Sequence, residues 1–571
     1  MNRRPILLGG YAAKQCAVRV QHDYGPSPLK WVPALEDQAR LDAGIAFEAD
    51  VFAELARLHP AAVCIDPELR RAAAIAATVA AMDAGAPLIL GGWLPEDPDA
   101  GRTGRPDLLV SVGGGYLPAD VKHHRSAEPK PTKTATIAAL DTPADWQPVG
   151  GWSTATVYRM VDGLQLAHYT RLLEACGRHP GPHLRYGAVL GSTGIDTGGG
   201  QRGRVLVWHD LTEPLAATFS RRHGKARRSL LERYDHEHSF RVAVAEAART
   251  AATGGGSLLV EPVGQPECRT CPYRQVCAEQ MGADDPSAAL TVGNLDVREW
   301  ITLRRMGIRT IAALADLDTD PEFFDAYHRE LSHRTPAQNR TRLDSARQRA
   351  RMIRDNTHIL PTSTAGDVGA DVEIDCDIEW GTDGLVYLWG ARVRLGADDT
   401  TAVYVPFADW ADNFTPDRER ALAEQFTAWL RTLRDLCAMA GRRVRVYHWS
   451  AAERSHLHRI LGPSVADLID PKRGVFTDLE RVFTAHYLSV HGSSIKVVAP
   501  AFGFTWSAPD AGGAISQTHL AAVRGGHTGA EASRRWLLAY NADDVAALAA
   551  IRDGITAQAA AAADDDVRAR P

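Results

Sequence analysis

The chain has 571 residues, 45% hydrophobic and 23% charged, with a formal net charge of −6. This is ordinary globular composition, which excludes a collagen-like or wholly disordered chain and a chain-wide cationic coat for nucleic acid. No apolar run reaches about 18 residues and the Ile6-Leu7-Leu8 patch is too short for a signal segment, so the expectation is a cytoplasmic, membrane-free protein of about three or four domains.

In chain order, residues 1–285 read as mixed α/β. Helical stretches at 45–58 and 68–84 flank apolar strands at 87–90, 107–112 and 117–122. Residues 125–148, rich in Pro and Thr, read as a surface loop, and 197–204 and 252–257 as Gly-rich turns. Residues 290–355 read as helical and end strongly basic. A loop near 360–371 leads to strands at 372–379, 385–395 and 400–406, then a helix at 416–440 and a strand at 443–448. A last helix is expected near 541–554, followed by a disordered Ala/Asp/Arg tail at 556–571.

Asp107 starts one strand, a turn at Gly113-Gly114-Gly115 follows, and the next strand carries Asp120-Val121-Lys122. Side chains alternate along a strand, so Asp120 and Lys122 share a face. Two acids can hold Mg²⁺ or Mn²⁺ through hard oxygens while a lysine orients water or offsets phosphate charge. Upstream, Glu48 offers a third acid on a helix. Downstream, Gln165 and Tyr169 stand at i and i+4 on one helix face. Taken in order, the set resembles the PD-(D/E)xK nuclease superfamily, most closely its RecB-like branch. There the order is a helix acid or histidine, Pro-Asp, Asp/Glu-x-Lys and Gln-x-x-x-Tyr. Glu48 stands where many members carry histidine. The resemblance implies a restriction-endonuclease-like domain and a nuclease site.

Cys268, Cys271 and Cys277 form a C-x2-C-x5-C array. Three thiolates cannot complete a four-ligand site, and Cys16 is the best candidate for the fourth. RecB-like nucleases with an iron–sulfur cluster divide their cysteines this way, and the resemblance implies a [4Fe–4S] cluster. Zinc is the alternative, since four thiolates suit both metals. Cys64, Cys176, Cys376 and Cys437 lack ligand spacing and read as core residues.

A second acidic set lies further on. Asp377 and Glu379 share a strand face, Glu453 follows a strand, Asp478 precedes Leu479, and Tyr540-Asn541-Ala542-Asp543-Asp544 opens a helix. This resembles the RNase H-like 3′–5′ exonucleases of the DEDD type, most closely the YprB-like domain that accompanies RecB-like domains. The resemblance implies metal-assisted hydrolysis at Asp377, Glu379 and Asp544, with Tyr540 placing the attacking water. Glu453 occupies the place of the family's middle aspartate, and Asp478 matches a recurrent Asp-Leu and either offers a substitute ligand or is structural. Ser494-Ile495-Lys496 also matches a family feature.

Between the two sets, Val292-Gly293-Asn294-Leu295 and Met306-Gly307-Ile308-Arg309-Thr310 resemble a helix-hairpin-helix element, with a plain αα-linker as the alternative. Basic runs occur at 220–228 and among the arginines of 334–354. The expected organisation is an α/β multidomain chain. A RecB-like PD-(D/E)xK domain spans 1–285, a helical connector 286–360, and an RNase H-like α/β domain 365–555. The expected function is metal-dependent hydrolysis of DNA, single-stranded or at ends, in repair, recombination or defence. The alternatives are an RNA-processing 3′–5′ exonuclease acting through the C-terminal site and a non-catalytic nucleic-acid-binding scaffold. The absence of a Gly-x-x-x-x-Gly-Lys-Ser/Thr loop means the chain is no helicase itself, and a helicase partner fits that reading.

Overall fold

The structure is a computed structural model that describes residues 5–26, 35–197, 202–220, 224–290, 295–366, 368–508, 512–526 and 529–568. Val292-Gly293-Asn294 of the connector motif, Arg221, Arg222 and His223 of the first basic run, and 569–571 of the tail lie outside the described residues. The chain forms two compact units: Met1–Ala283 with Asp325–Pro336, and Asp284–Phe324 with Ala337–Pro571. Among the described residues no helix is long and apolar enough to cross a membrane.

The first unit is built on an eight-stranded sheet. Its strands are β1 (Val63–Cys64), β2 (Leu88–Leu90), β3 (Leu108–Val112), β4 (Gly115–Val121), β5 (Ala127–Ala139), β6 (Gln147–Thr154), β7 (Tyr186–Asp196) and β8 (Arg202–Asp210). Their order is β1-β2-β3-β4-β7-β8-β5-β6. Helices cover both faces. Val51 and Leu55 of helix Leu35–Leu58 pack on Leu108, Val110, Leu117 and Ala119. Ala74 and Ala81 of helix Arg71–Asp83 join Leu109, Tyr116 and Tyr169 on the other side. Gly113 and Gly114 turn β3 into β4 with φ of 60° and 81°, a region that favours glycine. A two-stranded ribbon, β9 (Ala216–Ser220) with β10 (Gly224–Arg228), completes the strands of this unit.

Residues 125–148 are not a loop: β5 and the start of β6 occupy them. The ladder shifts register between Pro129 and Thr134, and the middle of β5 is exposed. Prolines therefore sit at the irregular stretch and on the edge strand β6, where missing N–H donors cost the sheet little. Cys64 is exposed and Cys176 half-buried, so neither is the core residue expected; Cys376 and Cys437 are buried.

In the second unit a small ribbon pairs β11 (Ile359–Pro361) with β17 (Tyr487–Ser489). The main sheet comprises β12 (Val372–Trp380), β13 (Val386–Leu395), β14 (Asp398–Ala408), β15 (Val444–His448) and β16 (Phe476–Asp478), ordered β14-β13-β12-β15-β16. The first three strands pair antiparallel; β12, β15 and β16 run parallel. Alternation along β12 decides what each face meets. Ile374, Cys376 and Ile378 pack with Phe426, Leu430 and Leu457 of helices Pro416–Met439 and Ala452–Leu461. Glu373, Asp375, Asp377 and Glu379 take the other face, toward helix Ala530–Arg568. That helix extends beyond both ends of the expected 541–554 span and covers most of the expected disordered tail. Its alanine-rich 557–563 stretch has the highest helix propensity of any residue type.

Candidate functional site

In the second unit Asp377, Glu379 and Asp544 each bring a carboxylate oxygen within 4.8 Å of the other two. Two come from the polar face of β12 and the third from helix Ala530–Arg568. The helix is keyed to the strand at two levels. Asn541 Nδ2 donates to Asp377 Oδ2 at 2.8 Å, and Asn541 Oδ1 accepts from Tyr404 Oη at 2.8 Å. Gly390 faces Asp377 in register; a Cβ there would sit 1.6 Å from Asn541 Oδ1, so only glycine admits the amide. Further along, the buried Arg552 binds Glu373 Oε2 through Nε at 3.1 Å and Nη2 at 2.8 Å, and also binds Asp375. Arg394 Nε adds a third donor to Glu373 at 2.8 Å. The four acids of one strand face thus divide in two: arginines neutralise the first pair, and the second pair meets Asp544.

Burial and then the Asp544 and Glu379 charges hold Asp377 well above the carboxylate range. Burial and then Asp544 push Glu379 up to about 8. Hard, mutually repelling oxygens of this kind fit a divalent cation such as Mg²⁺ or Mn²⁺, which relieves the repulsion. Residues 377–556 match the RNase H superfamily. The second unit therefore holds an RNase H-like domain, a nuclease-type fold whose members use divalent metals. Neither the curated proteins nor the solved structures yielded a match to the chain.

The other expected residues of the RNase H-like site divide. Tyr540 is buried beside Asp544, and burial and then Asp544 raise its phenol. Glu453 lies outside the trio. Tyr447 pairs with Asp375 in the parallel ladder, so His448 points to the opposite sheet face, and Glu453 Oε2 lies 3.2 Å from His448 Nδ1. Asp478 lies outside it too. Its carboxylate accepts from Arg481 N at 3.0 Å and caps helix Leu479–His486, so of its two expected readings the structure shows the structural one, a helix cap. Two groups join the trio instead: Lys496 Nζ and Trp506 Nε1 each donate to Asp544 Oδ1 at 2.6 Å. Lys496 stood out in sequence without a role; nothing marked Trp506.

The raised Glu379 pKa has a consequence for the metal-free protein. Folded Glu379 keeps its proton up to about pH 8, whereas the ordinary value is 4.5. Over that window the folded state binds more protons than the unfolded one, so this contribution is complete below the lower value and lost as pH rises through the upper one. The Tm of metal-free protein should fall more steeply from about pH 5 to about pH 8.5 than that of Glu379→Gln, and Mg²⁺ should restore most at high pH. Identical slopes for the two proteins would contradict the assignment.

In the first unit the expected residues also converge. Leu108 pairs with Ala119, which sets Asp107 across from Asp120. Asp107 Oδ2 accepts from Val121 N at 2.7 Å. Lys122 Nζ lies 2.6 Å from Asp120 Oδ2, while the buried Asp120 Oδ1 has no hydrogen-bond partner. An orphaned, buried carboxylate oxygen beside a second acid fits a cation. Burial and then the Asp120 charge push Asp107 well above its ordinary range. Glu48 is raised by burial, with Arg105 opposing and Asp120 assisting, so it belongs to the same electrostatic cluster. Gln165 Nε2 donates to Tyr169 Oη at 3.0 Å. Lys14, unmarked in the sequence, donates to Gln165 Oε1 at 2.6 Å; burial and the Lys122 charge lower its pKa to about 8.

Lys14 lies on the short 3₁₀ turn Ala12–Lys14, just before Cys16. Cys16, Cys268, Cys271 and Cys277 are all half-buried free thiols. Burial and then the charges of Cys271, Cys16 and Cys268 push Cys277 up to about 12; among the described residues, however, only Asp377, Glu379 and Asp544 gather their donor atoms within 4.8 Å of one another. Glu267 Oε1 accepts from Cys16 N at 2.6 Å, tying the distant cysteine to the triplet's own segment. In the connector, Asp296 caps helix Val297–Arg305 through Glu299 N at 3.0 Å, and Arg342 Nη2 binds Glu299 at 2.6 Å. Asp296 and Arg342 thus have structural partners.

Proposed function

We propose that the chain is a metal-dependent nuclease with two hydrolytic centres, acting on DNA. The observation that carries this reading is the trio Asp377, Glu379 and Asp544, gathered within 4.8 Å inside the RNase H-like span. Such a centre supplies Lewis-acid chemistry at a phosphodiester when a divalent ion is bound. The residues around it place the substrate. Tyr540 orients the attacking water, and Asn541 holds Asp377 in position.

The first unit supplies the second centre, read as RecB-like. Asp107 and Asp120 hold Mg²⁺ or Mn²⁺ with Glu48 at the margin. Lys122 polarises the nucleophilic water, and Gln165 with Tyr169 supports the strand. The grouping of Asp107, Asp120 and Lys122 at one strand end, with the orphaned Asp120 oxygen, supports that reading. Cys16, Cys268, Cys271 and Cys277 hold a [4Fe–4S] cluster that joins the ends of this domain; the bond from Cys16 N to Glu267 and the effect of the other three cysteines on Cys277 support it.

The cluster reading predicts a brown protein that absorbs broadly near roughly 400 nm. Cys16→Ala should bleach it and destabilise the first unit, because metal binding is coupled to folding. A colourless, folded, zinc-loaded protein from anaerobic preparation would replace iron by zinc. The nuclease reading is tested by divalent-ion-dependent cleavage of end-labelled single-stranded DNA and RNA. Cleavage of RNA alone would move the substrate to RNA, and binding without cleavage would leave a scaffold.

A further inference from the structure

The RNase H-like trio carries its own cation. Lys496 Nζ sits 2.6 Å from Asp544 Oδ1, above the rings of Trp506 at 4.1 Å and Tyr540 at 4.5 Å to their centroids. Its charge also acts favourably on Asp377 and Glu379. Two rings and a hydrogen-bonded carboxylate hold the ammonium in place, unlike a lysine on a mobile surface stem. The segment that bears it is anchored: Ser493 O accepts from Trp449 Nε1 at 2.8 Å, and Ser493 Oγ donates to Glu480 at 2.7 Å.

The acid count points the same way. Glu453 lies 3.2 Å from His448 and Asp478 caps a helix, so three carboxylates offer donor atoms in the trio, while the Glu453 charge still acts on Asp377 from outside it. Asp544 Oδ1 already accepts from both Lys496 and Trp506. Three carboxylates are balanced by one ammonium and one divalent ion. Before substrate binds, a second divalent ion would leave the trio and Lys496 with two surplus positive charges, which is costly at a largely buried site.

We propose that Lys496 stands in for a second metal, so that the trio takes one divalent ion and the lysine supplies the other positive charge. This rests on the reading of the trio as a hydrolytic metal site. Hydrolysis needs no further reactant. The water oxygen bonds to phosphorus, the bond from phosphorus to the leaving sugar oxygen breaks, and that oxygen ends with the proton lost by the water. Lys496 offsets the negative charge that builds on the phosphate meanwhile.

The test counts ions in the full chain carrying Asp107→Ala, which disables the other acidic site. Equilibrium Mn²⁺ binding, followed by electron paramagnetic resonance of free Mn²⁺, is compared with the same protein bearing Asp544→Asn. The difference should be one ion. Lys496→Met should raise it to two, and Lys496→Arg should keep it at one. At Mn²⁺ too low to fill the second position, cleavage should fall by about 10²-fold in kcat for Lys496→Met, with KM little changed and partial recovery in Lys496→Arg. Two ions with Lys496 in place, or one ion in folded Lys496→Met, would overturn the proposal and leave the metal site standing. No ion at all would overturn the metal-site reading itself. If Lys496→Met does not fold, the count with Lys496 in place still decides.

Discussion

Arg552→Ala should destabilise the second unit by about 3–5 kcal/mol, the cost of stripping the partner from a buried charge. Arg552 is 1% exposed and is bound by both Glu373 and Asp375, which are themselves buried. Removal leaves two carboxylates buried between helix and sheet, with Arg394 Nε and Ala370 N still donating to Glu373 and Arg392 Nη1 3.7 Å from Asp375. A second effect follows from position. Arg552 lies two helical turns beyond Asp544 on one helix, so the pairing with β12 sets the helix register that delivers Asp544 to Asp377 and Glu379. Denaturant midpoints should therefore fall together with Mn²⁺ affinity of the trio. Replacing the whole group by apolar residues of similar volume, as in Arg552→Met with Glu373→Leu and Asp375→Leu, should recover much of the stability. A loss under about 1 kcal/mol in Arg552→Ala would show that the pair is dispensable.

Lys122→Ala should lower cleavage by the first unit on the order of 10²–10³-fold while DNA affinity changes by about twofold or less. The lysine lies 2.6 Å from Asp120, beside the orphaned Oδ1 atom, and on the proposed reading it acts where charge develops on a phosphate. Burial works against its ammonium, but Asp120 then holds its pKa above the ordinary value, so it is a fixed positive charge. Asp120→Ala should act differently, through weaker metal binding that excess Mn²⁺ partly restores. Equal losses of binding and cleavage in Lys122→Ala would reduce the residue to a phosphate contact.

Local chemistry was legible in the sequence wherever a short period decided the geometry. Alternation along one strand put Asp377 and Glu379 on a common face, and a Gly turn set Asp107 across from Asp120. What the sequence did not show arises from contacts between distant segments. Lys14 reaches Gln165 across 151 residues, and Arg552 reaches Asp375 across 177. No local pattern encodes such pairs. Glu453 and Asp478 have the expected position along the chain, but the sheet face in one case and a helix start in the other redirect their carboxylates. Residues 125–148 misled because prolines and exposed polar residues suppress the strand signal where β5 is irregular.

We propose that two separate carboxylate centres hydrolyse nucleic acid. The most direct measurement compares wild type, Asp107→Ala, Asp544→Ala and the double variant on end-labelled single-stranded DNA and RNA with Mg²⁺ or Mn²⁺. Each single variant should keep part of the DNA cleavage, and the double variant should keep none above the metal-free background. Undiminished cleavage by the double variant, or no cleavage by wild type with either ion, would contradict it.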